Sequence, residues 1–313
     1  MTQVPGASAA GRTRTGPRAF APTEAPTRTR TQSWGGPWMR VLAVITSVVL
    51  LSITARLIGA QALTAGFTAL GPVSILAAAG GIRLGFAATG AQALRWRLLA
   101  SAGGIRLGFG RALADCYASS FANMVLPGGL AGDAVRAAIY RNSGRRRWLS
   151  PLLAVGAERL SATTLLFAAA AVILSLHTSP ALIAAAAAAT VSLGCAIAAV
   201  ACMRGMDTHR QPVVWATSAV SVAALVALFL VAMRALGDGI EPIVAIIGLA
   251  AMSLPVGVGG WGARELSVGL LAGPLALQAE SAVSAATAYG LLATVSTLPG
   301  LAVLLWHWLR RPR

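Results

Sequence analysis

Apolar residues in this chain come in long runs, without the polar face that a helix at a water boundary carries. The first run covers 41–58. Others follow at about 72–94, 112–127, 150–176, 181–203, 213–235, 240–256, 266–278 and 282–308. A bilayer core of about 30 Å is spanned by roughly 20 helical residues, so the longer runs predict transmembrane helices. Three of the runs are too short to be confident spans. Residues 1–38, rich in Thr, Pro, Ala, Gly and Arg without hydrophobic periodicity, predict a disordered basic cytoplasmic tail. A membrane domain then fills 39–309, and 310–313 form a basic cytoplasmic C-terminus. Ala60-Gln61-Ala62 imitates a signal-peptidase site, but the preceding tail is too long and Arg56 falls within the stretch, so a retained first helix is the expectation.

Composition agrees with the runs. Of 313 residues 57% are apolar and 11% charged, far from a soluble domain. The net charge of +16 would fit nucleic acid, but the 25 basic residues, all arginine, lie in short groups between the runs. That distribution points to a membrane surface, with no nucleic-acid partner. Placing the arginines before Val41, from Arg95 to Arg111, from Arg136 to Arg147, at Arg204 and Arg210, and after Trp308 on the cytoplasmic side defines one topology. Both termini are then cytoplasmic. Six runs cross fully, and 112–127 and 240–278 must each return to the side they left, as re-entrant or paired half-helices. The fold class predicted is an all-α polytopic membrane protein of about six transmembrane helices plus two re-entrant segments. The two irregular regions enter from opposite faces, the pattern of an inverted repeat with its site near the midplane.

Three constellations carry candidate chemistry. In 123–136, Pro127, Gly128, Gly129 and Gly132 break an apolar helix, and irregular backbone at membrane depth requires burial in protein or a wet cavity. A helix restarting near Gly132 would put Asp133 and Arg136 on one face and free backbone N–H groups toward an anion. The alternative is a surface cap, with Asp133 pairing Arg136 at the cytoplasmic boundary. In the second constellation, Glu158-Arg159 lies eight residues into an apolar run, where a charge costs about 2.5–3.5 kcal/mol. Adjacent helix residues do not face each other, so each needs a partner elsewhere, and Arg136 and Asp133 are the opposite charges to hand. Snorkelling of the pair to the interface is the other reading. In the third, 254–265, Pro255 and glycines including Gly259, Gly260 and Gly262 interrupt another run before Arg264 and Glu265 open a short helix. An extracellular glycine turn with a capping acid is its plainer reading.

Other positions read as structural. Arg95-Trp96-Arg97 predicts an interfacial anchor, as do Trp306 and Trp308 before Arg310. Cys116, Cys195 and Cys202 read as small packing residues. His177, His209 and His307 lie too far apart for a metal site, and no metal or other cofactor is expected. Arg83 either neutralises Asp115 or Glu158, or marks a boundary displaced by the octapeptide AGGIRLGF, which occurs at 79–86 and again at 102–109.

The ordered set Arg95-Trp96-Arg97, Asn123 with Pro127 and Gly132-Asp133 before Arg136, Glu158-Arg159-Leu160, Pro255 with the Gly259-to-Glu265 segment, and Leu298-Pro299-Gly300 resembles the lysylphosphatidylglycerol synthase transmembrane-region family. That family includes the flippase domain of multiple-peptide-resistance proteins and standalone YbhN-like membrane proteins. The resemblance covers 41–308. It implies a bundle of about eight membrane segments in the cell membrane and flippase-like movement of a phospholipid or lipid-linked headgroup between leaflets. The substrate would be an anionic or aminoacylated phospholipid or a polyprenyl-linked lipid. On this basis Asn123, Asp133, Arg136, Glu158, Arg159, Arg264 and Glu265 are the expected substrate-binding residues. Arg136 and Arg264 would hold the phosphate, while Asp133, Glu158 and Glu265 would hold those arginines or a cationic headgroup. The chain departs from the pattern at Ala131, where a glycine is expected, and at Tyr289-Gly290-Leu291-Leu292, where a basic residue is expected. Two other classes remain open at this level: a membrane-embedded transferase acting on a polyprenyl-phosphate or phospholipid, and an accessory subunit of a lipid-modifying enzyme. A homo-oligomer is likewise open.

Overall fold

The computed structural model describes residues 74–126, 128–176, 179–237 and 241–309, with a few positions between 45 and 65. The tail 1–38, most of the first run, Pro127, His177 and the arginines after Leu309 lie outside the described residues. From residue 74 onward nine α-helices are described: α1 Ser74–Ala102, α2 Phe109–Val125, α3 Ala131–Ile139, α4 Leu149–Ser175, α5 Ser179–Cys202, α6 Gln211–Ala235, α7 Pro242–Met252, α8 Ala263–Ala272 and α9 Ala279–Leu309. Prolines sit in the first turns of α6 and α7, where a missing N–H costs nothing. Leu126 is extended (φ −98°, ψ 150°), the conformation imposed on a residue before proline, and this ends α2.

Four segments are long and apolar enough to cross a membrane: Leu149–Ser175, Ala181–Cys202, Thr208–Ala235 and Ala279–Trp306. Their outer faces are bare of polar cover. On α5, Ile183, Leu193 and Ile197 are 80%, 63% and 64% exposed, a surface that lipid and not water accommodates. The chain is a multi-pass membrane protein.

Inside the bundle there are two apolar clusters. One gathers Trp96, Leu99, Ala112, Cys116, Ala154, Met203 and Val214. The other gathers Met124, Leu228, Phe229, Ile243, Val268, Val283 and Tyr289. Helix α2 runs from the first, at Cys116, into the second, at Met124, so Ser119, Ser120 and Asn123 occupy the level between them.

That level is set by two hairpins. Helices α2 and α3 are antiparallel, since the Tyr140 hydroxyl, one residue past α3, donates to Asp115 in the second turn of α2. Their packing is close because Gly132 lacks a Cβ, which would stand 2.1 Å from the Ser119 carbonyl oxygen. Helix α2 begins beside the end of α9, where Gly110, Arg111 and Ala114 face Ala302, Val303 and Trp306. Helices α7 and α8 pair in the same way and lead directly into the start of α9. Along α9, whose 31 residues span about 46 Å, Gly290 lies against Arg264 at the start of α8 and Gly300 against the Tyr117 backbone in α2. The hairpins therefore come from opposite ends of α9 and their tips meet near its middle. The Gly128 N–H donates to the Gly257 carbonyl at 2.7 Å across that junction.

Three arginine-bearing loops converge at the end where α2 starts. The Arg145 N–H donates to the Gly103 carbonyl at 2.8 Å, and Ser101, Ala102, Arg145, Gly205, Asp207 and Arg210 line one small polar pocket of about 260 Å³.

The structure corrects two expectations here. Arg95 and Trp96 are 3% and 0% exposed, so only Arg97 of that trio faces outward. Helix α1 extends to Ala102, beyond the apolar run, and carries them into the bundle. Arg83 neutralises neither Asp115 nor Glu158, which are held by Arg111 and Arg136; it stands exposed on α1 between Ile82 and Phe86.

Candidate functional site

Beside the hairpin junction, α3 and α4 bring four charges together. Arg136 places Nη2 2.9 Å from Asp133 Oδ1 and 2.9 Å from Glu158 Oε2, with all three side chains nearly fully buried. Arg159 Nε donates to Asp133 Oδ2 at 2.6 Å, and its Nη2 to the Gly129 carbonyl at 2.7 Å, so α4 is tied to the hairpin tip. The cross-pairing follows from helix geometry: Glu158 and Arg159 diverge by about 100° around α4 and reach successive charges of α3. Arg159 is the member open to the outside, its side chain 34% exposed.

Neutral groups complete the first network. Asn123 donates from Nδ2 to Asp133 at 3.1 Å, while its Oδ1 accepts the Gly132 N–H at 2.8 Å. Of the α3 N-terminal N–H groups expected to face an anion, the Gly132 donor is thus capped by Asn123 from α2. Gln92 donates to Glu158 Oε1 at 2.8 Å and accepts from Ser120 at 3.4 Å. Glu158 Oε2 touches Arg136 as an ion pair, outside hydrogen-bond alignment. Cys116 Sγ lies 3.2 Å from Arg136 Nη1, and the Arg136 guanidinium stands 4.5 Å over the Trp96 ring. Both the surface-cap reading of Asp133 and the snorkelling reading of Glu158 fail, since these residues are 3% and 2% exposed.

Arg95 extends this network toward α6. Its Nη1 donates to Ser218 Oγ at 3.0 Å, Ser218 contacts Ser161 at 2.9 Å, and Arg95 Nε has no partner among the described residues. At the α2 entrance, Arg111 pairs with Asp115 at 3.1 Å. Burial, and then the hydrogen bond to Asp115, push the Tyr140 phenol up to about 12, so it stays a donor at neutral pH.

The second network lies on the other hairpin. Arg264 and Glu265 are both 0% exposed, and their side chains form a short ion pair although they are sequence neighbours. Glu265 Oε2 also accepts the Gly262 N–H at 2.7 Å, capping α8. The capping role foreseen for this acid is present, but inside the protein and not in an exposed turn. Arg264 lies 4.9 Å from the Trp261 ring and 5.4 Å from the Tyr289 ring. Gly290 makes this arrangement fit: a Cβ there would lie 2.2 Å from Arg264 Nη2. Where a basic residue was expected near 289–292, the chain instead has a void that the Arg264 guanidinium fills.

The predicted residues thus fall into two networks, Asn123, Asp133, Arg136, Glu158 and Arg159 in one, Arg264 and Glu265 in the other. Backbone contacts of Gly128 and Gly259 with the opposite tip join them, Gly259 packing on the Met124 carbonyl. In this conformation the carboxylates hold Arg136 and Arg264. Sequence reasoning missed Gln92 and Ser218, although polar residues inside an apolar run are a signal, and read Arg95, Trp96 and Cys116 as structural, since the first two lie just past their run. No group of three His, Cys, Asp or Glu side chains able to hold a metal occurs among the described residues.

The chain belongs to the lysylphosphatidylglycerol synthase TM region family, whose model matches residues 40–216. The match contains Asn123, Asp133, Arg136, Glu158 and Arg159 and stops short of Ser218 and of the second hairpin. Comparisons with curated proteins and with solved structures returned no match.

Proposed function

We propose that the protein is a flippase-like transporter that moves a phospholipid or lipid-linked headgroup between the leaflets of the cell membrane. The observation that carries this reading is the buried Arg136–Asp133–Glu158 network beside two half-helix hairpins whose tips meet at mid-height of α9. A headgroup crossing about 30 Å of hydrocarbon loses its hydration, at a cost of several kcal/mol per charge, and a polar path at mid-depth lowers that cost. Arg159, partly exposed and hydrogen bonded to the hairpin tip, is the first cation a headgroup would meet. A phosphate joining Asp133 on Arg159 and Arg136 would be held by arginines already fixed in place.

The reading includes a topology of six full spans: the first run, α1, α4, α5, α6 and α9. Hairpin α2–α3 enters from the cytoplasm and α7–α8 from outside. Convergence of the Arg145 and Arg210 loops at the end where α2 starts supports it. Family membership supports a lipid-related role. In this reading the partner is a membrane lipid and no chemistry is performed on it. Proteoliposomes carrying headgroup-labelled phospholipids, with outer-leaflet label read by chemical quenching, test the proposal against the Asp133→Asn variant. Translocation that the variant abolishes is the expected result. A change of lipid mass without a change of leaflet would replace it with a transferase.

A further inference from the structure

We infer that Arg95 makes the buried network a site for a headgroup of net charge −1, a phosphodiester without an ammonium group; this rests on the transport reading above and names its substrate class. Arg95, Arg136 and Arg159 face only two carboxylates, Asp133 and Glu158, leaving one positive charge in excess. Every other nearby charge is cancelled, Arg111 by Asp115 and Arg264 by Glu265. Of the nine acids in the chain, seven are described, and none lies within salt-bridge distance of Arg95. The remaining two are Glu24 in the tail and Asp238 between α6 and α7.

An uncompensated cation in a 97% buried position is costly, and a negative guest removes the cost. Three donors of this cluster lack partners among the described residues: Arg95 Nε, Arg136 Nε and Trp96 Nε1. A phosphodiester carries one negative charge and acceptor oxygens, the complement of one excess cation and unused N–H groups. An ammonium headgroup finds no counterpart, because Asp133 and Glu158 are committed to arginines and Glu265 to Arg264 and the Gly262 N–H. A headgroup of charge −2 would leave the network negative by one. The site therefore discriminates by charge count, and Arg95 sets the count.

The test is binding of dioctanoyl phosphatidylglycerol, phosphatidylethanolamine, lysyl-phosphatidylglycerol and phosphatidic acid to the full chain in a nonionic detergent, followed by native mass spectrometry. Phosphatidylglycerol is expected to bind at least tenfold more tightly than each of the others. Arg95→Gln should remove that preference, and Arg95→Lys should keep it. Equal affinities for all four on the unaltered protein, or tighter binding of lysyl-phosphatidylglycerol, would overturn the inference even if Arg95→Gln proves unstable. Selective binding without translocation in proteoliposomes would leave the charge rule standing and sink the transport reading. Translocation of phosphatidylethanolamine as fast as phosphatidylglycerol would do the reverse.

Discussion

The backbone N–H of Gly128 donates to the carbonyl of Gly257 at 2.7 Å, tying together the tips of two hairpins that come from opposite ends of α9. A buried backbone group left unsatisfied costs several kcal/mol, so two broken helices are stable side by side when each supplies what the other lacks. The junction is built from this hydrogen bond and the packing of Gly259 on Met124. It stands next to Gly129, whose carbonyl holds Arg159, so parting the tips disturbs the charge network directly.

The proposed topology makes accessibility predictions. In a cysteine-free background, Cys at Arg97, Arg145 or Arg210 should react with an impermeant maleimide only after the membrane is opened. Cys at Glu241 or Glu280, both exposed, should react in intact cells. Labelling of Arg145→Cys in intact cells would reverse the assignment of faces.

Glu158→Gln should destabilise the protein by about 3–5 kcal/mol, because it leaves the buried Arg136 with half of its countercharge. Asp207→Asn breaks a pair more than half exposed and should cost at most about 1 kcal/mol. Thermal unfolding in detergent compares the two. Equal midpoints would mean that water reaches Arg136.

Gly132→Ala should separate α3 from α2, since the new methyl would meet the Ser119 carbonyl carbon and oxygen at 2.8 and 2.1 Å. Backbone cannot yield as a side chain does, so a loss of about 1–3 kcal/mol is expected. Gly194→Ala, on α5 with nothing within 4 Å, should instead gain up to about 1 kcal/mol from helix propensity. The pair is read from unfolding midpoints.

Gly290→Ala should expel the Arg264 guanidinium from its place between Trp261 and Tyr289 and slow lipid translocation at least tenfold, with Gly90→Ala as an uncrowded control. Translocation at the normal rate in Gly290→Ala would take Arg264 off the transport path.

Much of this protein is determined by local sequence. Apolar runs longer than the hydrocarbon thickness have no stable form but helix, so α4, α5, α6 and α9 begin and end within a few residues of the runs that announce them. Pro and Gly clusters mark both breaks. The partners of Glu158 and Arg159 are also legible, because a buried charge needs an opposite one and the chain has few acids.

Tertiary structure decided the rest, and the repeated octapeptide shows why. At 79–86 AGGIRLGF lies within α1, where Gly85 packs on Ser296 of α9. At 102–109 the same eight residues end that helix, turn at Gly104 with φ +86° against Arg145, and enter α2. Identical local propensities produced a helix in one place and a turn in the other, because long-range packing outweighs the few tenths of a kcal/mol that separate residues on propensity scales. Arg95-Trp96 follows the same rule: its composition is that of an interfacial anchor, yet both residues are buried, Trp96 beneath Arg136 and Arg95 on Ser218. Burial and pairing are properties of what lies opposite, and what lies opposite is contributed by helices far away in the chain.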